Sequence, residues 1–139
     1  MRYVLFYMSI FDPSVAKKIV DHILSTNHEI LAVSIIDMKG NIIAANSEYL
    51  RKALGVSVNE DKYDRALVAS TLGLIQVTRD IIEEPKAVIT IHKDCKLMLL
   101  PIPSFQILVG LVLHRSVNAS DYNIAYKIER LIADTLWYI

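Results

Sequence analysis

Between residues 13 and 26, apolar side chains recur every three or four positions, as Val15, Ala16, Ile19, Val20 and Ile23, while Lys17, Lys18 and Asp21 occupy the opposite side. That spacing is one face of an α-helix laid on a core. Asp12-Pro13 supplies its start: the Asp side chain accepts an otherwise unpaired N–H, and Pro at the first helical position has none to lose. The period then changes. The stretch "ILAVSIIDMKGNIIAANS" is two runs rich in Ile, Val and Ala on either side of Asp37-Met38-Lys39-Gly40. It predicts a hairpin in which Gly40 takes positive φ and Asp37 accepts a backbone N–H in the turn. Glu48 to Leu54 suit a short helix ended by Gly55, and the residues up to 60 form a connector.

From about Asp61 to Glu84 no Pro occurs, and only Gly73 interrupts good helix formers before Pro85. A helix of this span is about 35 Å long at 1.5 Å per residue. Its middle, "RALVASTLGLIQVTRD", carries two apolar stripes instead of one. Tyr63, Leu67, Leu74 and Ile81 repeat as a core stripe. Rotated from it run Ala66, Ser70, Gly73 and Val77, all small or β-branched, a line along which a second helix can approach closely. Mid-helix Gly costs about 1 kcal/mol against Ala, so Gly73 calls for a packing reason. Val68, Leu72 and Ile75 add further apolar surface, leaving Asp64, Arg65, Gln76, Arg79, Asp80 and Glu83 as the polar positions. One stripe serves the core and the other a partner; the alternative is a cover supplied by the connector or the N-terminal segment of the same chain.

Three extended segments follow, "KAVITIHK", "CKLMLLPIPS" and "FQILVGLVLHR", separated at Lys93-Asp94 and at the Pro-Ser region, and read as antiparallel strands. In the final stretch, Asn118 or Ser120 can cap a helix whose one face is Ala125, Ile128, Ile132, Leu136 and Ile139. Ahead of the first helix, Tyr3, Phe6, Tyr7 and Phe11 sit three to four apart, so that segment extends the first helix or docks as an added strand. We expect one domain over residues 1–139, with 1–12 as an N-terminal extension.

Composition sharpens this picture. The chain of 139 residues is 53% hydrophobic, above the usual ~45–50% of a globular domain. No run is long and charge-free enough to cross a membrane, so the excess points to a buried interface between chains. Fifteen basic residues balance fifteen acidic ones, which removes the electrostatic footprint of a nucleic-acid binder or a polybasic membrane anchor. The single cysteine, Cys95, forms no internal disulfide and fits a reducing, cytoplasmic setting. The candidate chemistry is sparse. His92-x-x-Cys95 with His114 is an incomplete zinc set, since a structural site needs four ligands. The four glycines are scattered singly at 40, 55, 73 and 110 and form no phosphate loop; nor does a nucleophile elbow or a His-Glu-x-x-His helix occur. We expect no enzyme, no cofactor and no metal.

The order helix, hairpin, long helix, three-stranded meander, helix resembles the roadblock/LC7 domain. The residues that carry the likeness are "SIIDMKGNIIAANS" with its Asp-x-x-Gly turn, "RALVASTLGLIQVTRD" as the central helix and "AVITIHKDCKLMLLPIPSFQILVGLVLHR" as the meander, over roughly 13–136, and the likeness is nearest to archaeal members of that group. The connector at 47–60 is longer than in a minimal domain of this kind, and the Asn-x-Gly often found before the last helix is missing. The resemblance implies an α+β, profilin-like fold: a five-stranded antiparallel sheet with two helices on one face and one long helix on the other. It also implies a dimer, with itself or a paralogue, through the long helices and the third strands. The interface then comprises Ala66, Ser70, Gly73 and Val77 with Val88 and Thr90. Small Ras-like GTPases are the implied partners, which makes the chain a non-enzymatic scaffold or regulator. A small-molecule sensor of PAS or profilin-like type is the alternative and needs a cavity with converging polar groups; a redox or metal module at His92 and Cys95 is a third.

Overall fold

The computed structural model of the chain describes residues 6–7, 9–54, 60–83, 85–116 and 122–138. In chain order its elements are β1 (Phe6–Tyr7), α1 (Pro13–Thr26), β2 (Ile30–Asp37), β3 (Ile42–Asn46), α2 (Glu48–Leu54), α3 (Glu60–Ile81), β4 (Val88–Ile91), β5 (Cys95–Ile102), β6 (Ile107–His114), α4 (Tyr122–Leu136) and β7 (Trp137–Tyr138).

Local signals explain most boundaries. Asp12 caps α1 with its Oδ1 accepting from the Ser14 N–H at 2.9 Å, and Pro13 opens the helix. In the β2–β3 turn, Asp37 Oδ1 accepts from the backbone N–H groups of Lys39 and Asn41, each at 2.9 Å, and Gly40 has φ 88°. A side chain at positive φ is strained, so this turn requires its glycine. Gly55, read as the stop of the short helix, and the capping residues expected before α4 lie outside the described residues.

Strands β3, β2, β6, β5 and β4 stand side by side in that order, and every neighbouring pair is antiparallel. Alternation along them separates two layers. Val33, Ile35, Met98, Leu100, Val109 and Leu111 face the same cluster as Ile19 and Ile23 of α1 and Ile128 and Ile132 of α4. On the other side Leu31 and Ala32 meet Leu50 of α2, and Ile36 and Leu108 meet Leu72 of α3. The expected two-against-one arrangement of major helices is present, with short α2 added beside the long helix. At the sheet centre Ser34 pairs with Gly110, where a Cβ would lie 2.6 Å from Ser34 Oγ. A side chain at 110 would force the Ser34 hydroxyl to move, so glycine lets β2 and β6 pair here without adjustment.

Two expectations change. The last helix ends at Leu136, and Trp137–Tyr138 turn into a strand that pairs antiparallel with Phe6–Tyr7. The N-terminal segment therefore docks as a strand and does not extend α1; Ile139, expected on the helical face, lies outside the described residues. The second change is the rotation of α3. Thr71 and Ile75 are each 3% exposed, whereas the anticipated core residues Leu74 and Ile81 are 44% and 74% exposed. A shift of one residue turns a helix by about 100°, and Thr71, Ile75 and half-buried Thr78 form the observed inward line. Threonine is admitted there because its hydroxyl can satisfy itself on the helix: Thr78 Oγ1 donates to the Leu74 carbonyl oxygen at 2.8 Å. The side chains of Tyr63 and Leu67 lie outside the described residues.

Candidate functional site

The outward side of α3 is apolar along its second half. Ser70 and Gly73 are exposed, Val77 is 59% exposed, and Leu74 and Ile81 join them, extended past the helix end by exposed Ile82. These positions repeat at three and four residues, so they form one stripe. The side chain of Ala66 lies outside the described residues. A Cβ built at Gly73 meets nothing within 4 Å, so no contact within the described chain accounts for a mid-helix glycine. The N-terminal strand pairs with Trp137–Tyr138, which follow α4.

Strand β4 forms one edge of the sheet. Its side chains divide by register. Val88 and Thr90 stand opposite Leu99 and Leu97, on the α3 side; Ile89 stands opposite Met98, which belongs to the α1–α4 cluster. Val88 is half-buried and Thr90 exposed, while Ile89 and Ile91 are 37% and 76% exposed on the other face. Val88 and Thr90, the strand residues expected in an interface, thus lie on the sheet face that carries α3. Sequence reasoning missed Leu74 and Ile81 as surface and did not single out Ile89 and Ile91; period-2 alternation of "VITI" at an edge was the signal for the latter.

The hydrogen bonding of β4 is set by its hairpin. The His92 N–H donates to the Cys95 carbonyl at 2.9 Å, which makes 92 and 95 a directly bonded pair. Bonded and non-bonded pairs alternate in an antiparallel ladder, so Thr90 and Val88 point their backbone groups at Leu97 and Leu99. Ile89 and Ile91 point theirs away from the sheet. The next bonded pair would be Lys86 with Pro101, and Pro101 has no N–H to give; the β4–β5 register ends one pair earlier, at Val88↔Leu99. Where the chains part, a cleft of about 330 Å³ opens among Pro85, Lys86, Leu100, Ile102, Tyr126 and Glu129. It lies at the end of the sheet and sits at the small limit of ligand pockets, roughly 300–1,000 Å³.

The candidate chemical groups are occupied with local structure. Cys95 and His114 are cross-strand neighbours in the β5–β6 register, but the His114 Nδ1 lies 2.7 Å from Ser116 Oγ and the His92 Nε2 lies 2.8 Å from Thr90 Oγ1. Burial, aided by the charge of Asp94, pushes the Cys95 thiol up, away from the thiolate that nucleophilic or metal chemistry needs. Among the described residues no three His, Cys, Asp or Glu side chains gather as a metal set. Burial alone would raise the Asp37 carboxyl, but hydrogen bonds from Asn41 and Lys39 outweigh it and leave it below the usual value. That is the signature of a turn carboxylate, not of a general base. Among the described residues no helix is long and apolar enough to cross a membrane.

No family model matches the chain, and no curated protein sequence matches it. Solved structures do. The gliding protein MglB of Thermus thermophilus superposes with a TM-score of 0.66 at 12% identity, over 98% of each chain. Myxococcus xanthus MglB gives 0.64 at 10% identity, over 90% of this chain and 86% of its own. A roadblock/LC7 domain from Streptomyces avermitilis gives 0.59 at 9% identity, over 85% and 92%. At such identities the likeness is one of fold: the α+β architecture described above is the roadblock/LC7 architecture.

Proposed function

We propose that this roadblock-fold chain is a non-enzymatic scaffold that works as a dimer in the cytoplasm and binds a small Ras-like GTPase, with residues 1–139 as one domain and 1–12 as its extension. The observation that carries the dimer is the outward stripe of α3. Gly73 has open space where a side chain would sit, and it is flanked by exposed Leu74, Val77 and Ile81. Natural chains seldom leave such a row wet, because apolar burial is worth about 25 cal/mol per Å². The edge strand β4, with apolar Ile89 and Ile91, supports the same reading.

Two copies joined through α3 and β4 make a continuous platform, with the α1–α4 layers turned away from the joint. The GTPase reading rests on the likeness of "SIIDMKGNIIAANS" and the segments that follow to GTPase-partner roadblock domains. On that reading the mechanism is shape: a platform that favours one switch conformation of the GTPase shifts its equilibrium by the difference in affinity for the two states. No catalytic group is asked of this chain. The test is in two steps. Light scattering should give twice the chain mass at micromolar concentration. Calorimetric titration of that dimer with a Ras-like GTPase of its own genome, loaded with a non-hydrolysable GTP analogue or with GDP, should show binding that differs between the two states. Equal binding, or none, for every such GTPase overturns the GTPase reading; a monomer overturns the scaffold as a dimer.

A further inference from the structure

We propose that the cleft at the open end of the β4–β5 ladder binds a free α-amino acid with an aliphatic side chain. This goes beyond the scaffold reading and does not rest on it, because the cleft is built on α4 and the sheet, not on the α3 stripe. Its floor is Leu100 and Ile102, 2% and 3% exposed and both part of the cluster that includes α1 and α4. Ala125 and Tyr126 of α4 add an apolar wall, and Tyr126 is 63% exposed.

The polar groups that converge on this floor come in opposite signs. Lys86, from the segment before β4, and Glu129, from α4, both line the cleft and are both exposed. Among the described residues the ion pairs are Lys17–Asp21, Lys52–Glu48 and Arg130–Asp134, so neither charge has a counter-ion there. A further group is the Pro101 carbonyl. By the parity of the hairpin, residue 101 turns its backbone toward the β4 side, and β4 leaves the register one pair before it. Among the described residues no N–H donates to that carbonyl, although Pro101 is half-buried. It is an acceptor open to a donor from a ligand.

These groups select the ligand. Glu129 repels an anion such as a phosphate and Lys86 repels a simple cation, so the ligand carries both charges. The Pro101 carbonyl asks for an N–H, which a quaternary ammonium lacks. The buried floor asks for an apolar group. An aliphatic α-amino acid meets each requirement: its ammonium goes to Glu129 and Pro101, its carboxylate to Lys86 and its side chain to Leu100 and Ile102. The cleft, about 330 Å³, is also lined by Pro85, Pro101 and Pro103. Their fixed φ angles hold the walls in place, which lowers the ordering cost of binding.

The experiment is isothermal titration of the full-length protein with leucine, leucine amide and N-acetyl-leucine, each up to millimolar concentration. Leucine should bind saturably, and each blocked derivative at least about tenfold more weakly, since each lacks one charged hydrogen-bonding end. Glu129→Gln and Lys86→Met should each weaken leucine by at least about tenfold. Both side chains are exposed, so thermal melts of the unliganded variants should match the wild type. Lys127→Gln, on the same helix but outside the cleft, should leave leucine binding unchanged. No saturable binding of leucine, isoleucine or valine overturns the proposal. So does leucine binding that survives both cleft substitutions, or blocked derivatives that bind as tightly as leucine.

Discussion

Replacing Gly73 with leucine separates the single chain from the dimer, because the two respond in opposite directions. In the single chain a Cβ at position 73 meets nothing within 4 Å. The substitution therefore adds helix propensity without a clash, and leucine is better than glycine in mid-helix by about 0.7 kcal/mol. A domain of this size should gain roughly 2–3 °C in melting temperature, once dimerisation is removed by dilution. The interface is worth more. Leu74, Val77 and Ile81 are 44%, 59% and 74% exposed; at about 2 kcal/mol per fully buried aliphatic side chain, covering them contributes about 3.5 kcal/mol per copy as an upper bound. A leucine forced into a closely packed helix crossing costs about 1–3 kcal/mol of overpacking, and the symmetric joint contains it twice. The dimer should weaken by at least about 2 kcal/mol, roughly thirtyfold in dissociation constant. Sedimentation equilibrium over a concentration series, beside thermal melts at high dilution, reads both numbers. A wild-type chain that stays monomeric at about 100 µM, where an interface of this size should be populated, refutes the account of α3. So does a Gly73→Leu dimer as tight as wild type.

The remaining expectations concern the described core and turns. Ile75→Ala should cost about 2–5 kcal/mol in urea unfolding, because Ile75 is buried, whereas Ile81→Ala in the dilute monomer should cost under about 1 kcal/mol; equal costs would restore the rejected rotation of α3. Gly110→Ala should destabilise by about 1–3 kcal/mol through its approach to Ser34 Oγ, and Ser34→Ala in the same chain should recover part of that loss. The hydrogen bonds from Asn41 and Lys39 hold the Asp37 carboxyl below its ordinary value, so its folded form binds a proton less readily than the unfolded form. Its contribution is therefore complete above the ordinary carboxylate range and is lost as pH falls through the lowered folded value. Asp37→Asn should accordingly flatten the acid limb of melting temperature against pH; an unchanged limb would remove Asp37 from that role.

The exposed apolar stripe of α3 was legible in part. The sequence marked α3 as apolar on more than one side and Gly73 as a residue in need of a reason, and both survive in the structure. It assigned Leu74 and Ile81 to the core because leucine and isoleucine outrank threonine on any hydrophobic scale. Yet the helix turns Thr71 and Ile75 inward and leaves those two outside. Periodicity reports that a stripe exists, and two stripes about 100° apart satisfy the same period. Only the shape of the sheet beneath, with Ile36 and Leu108 receiving Leu72, decides which of them is covered.

What the amino-acid order determined alone were events decided within a few residues. Asp12 and Pro13 start α1, a three-to-four period marks its buried face, Asp37 and Gly40 close the hairpin, and Pro85 follows the end of the α3 run. Each is a hydrogen bond, a dihedral preference or a side-chain period that the chain meets locally. Tertiary structure decided the rest: the rotation of α3, the pairing of Phe6–Tyr7 with Trp137–Tyr138 from the far end of the chain, and the end of β4 opposite Pro101. These depend on groups far apart in sequence, and no local preference can choose among them until the sheet brings those groups together.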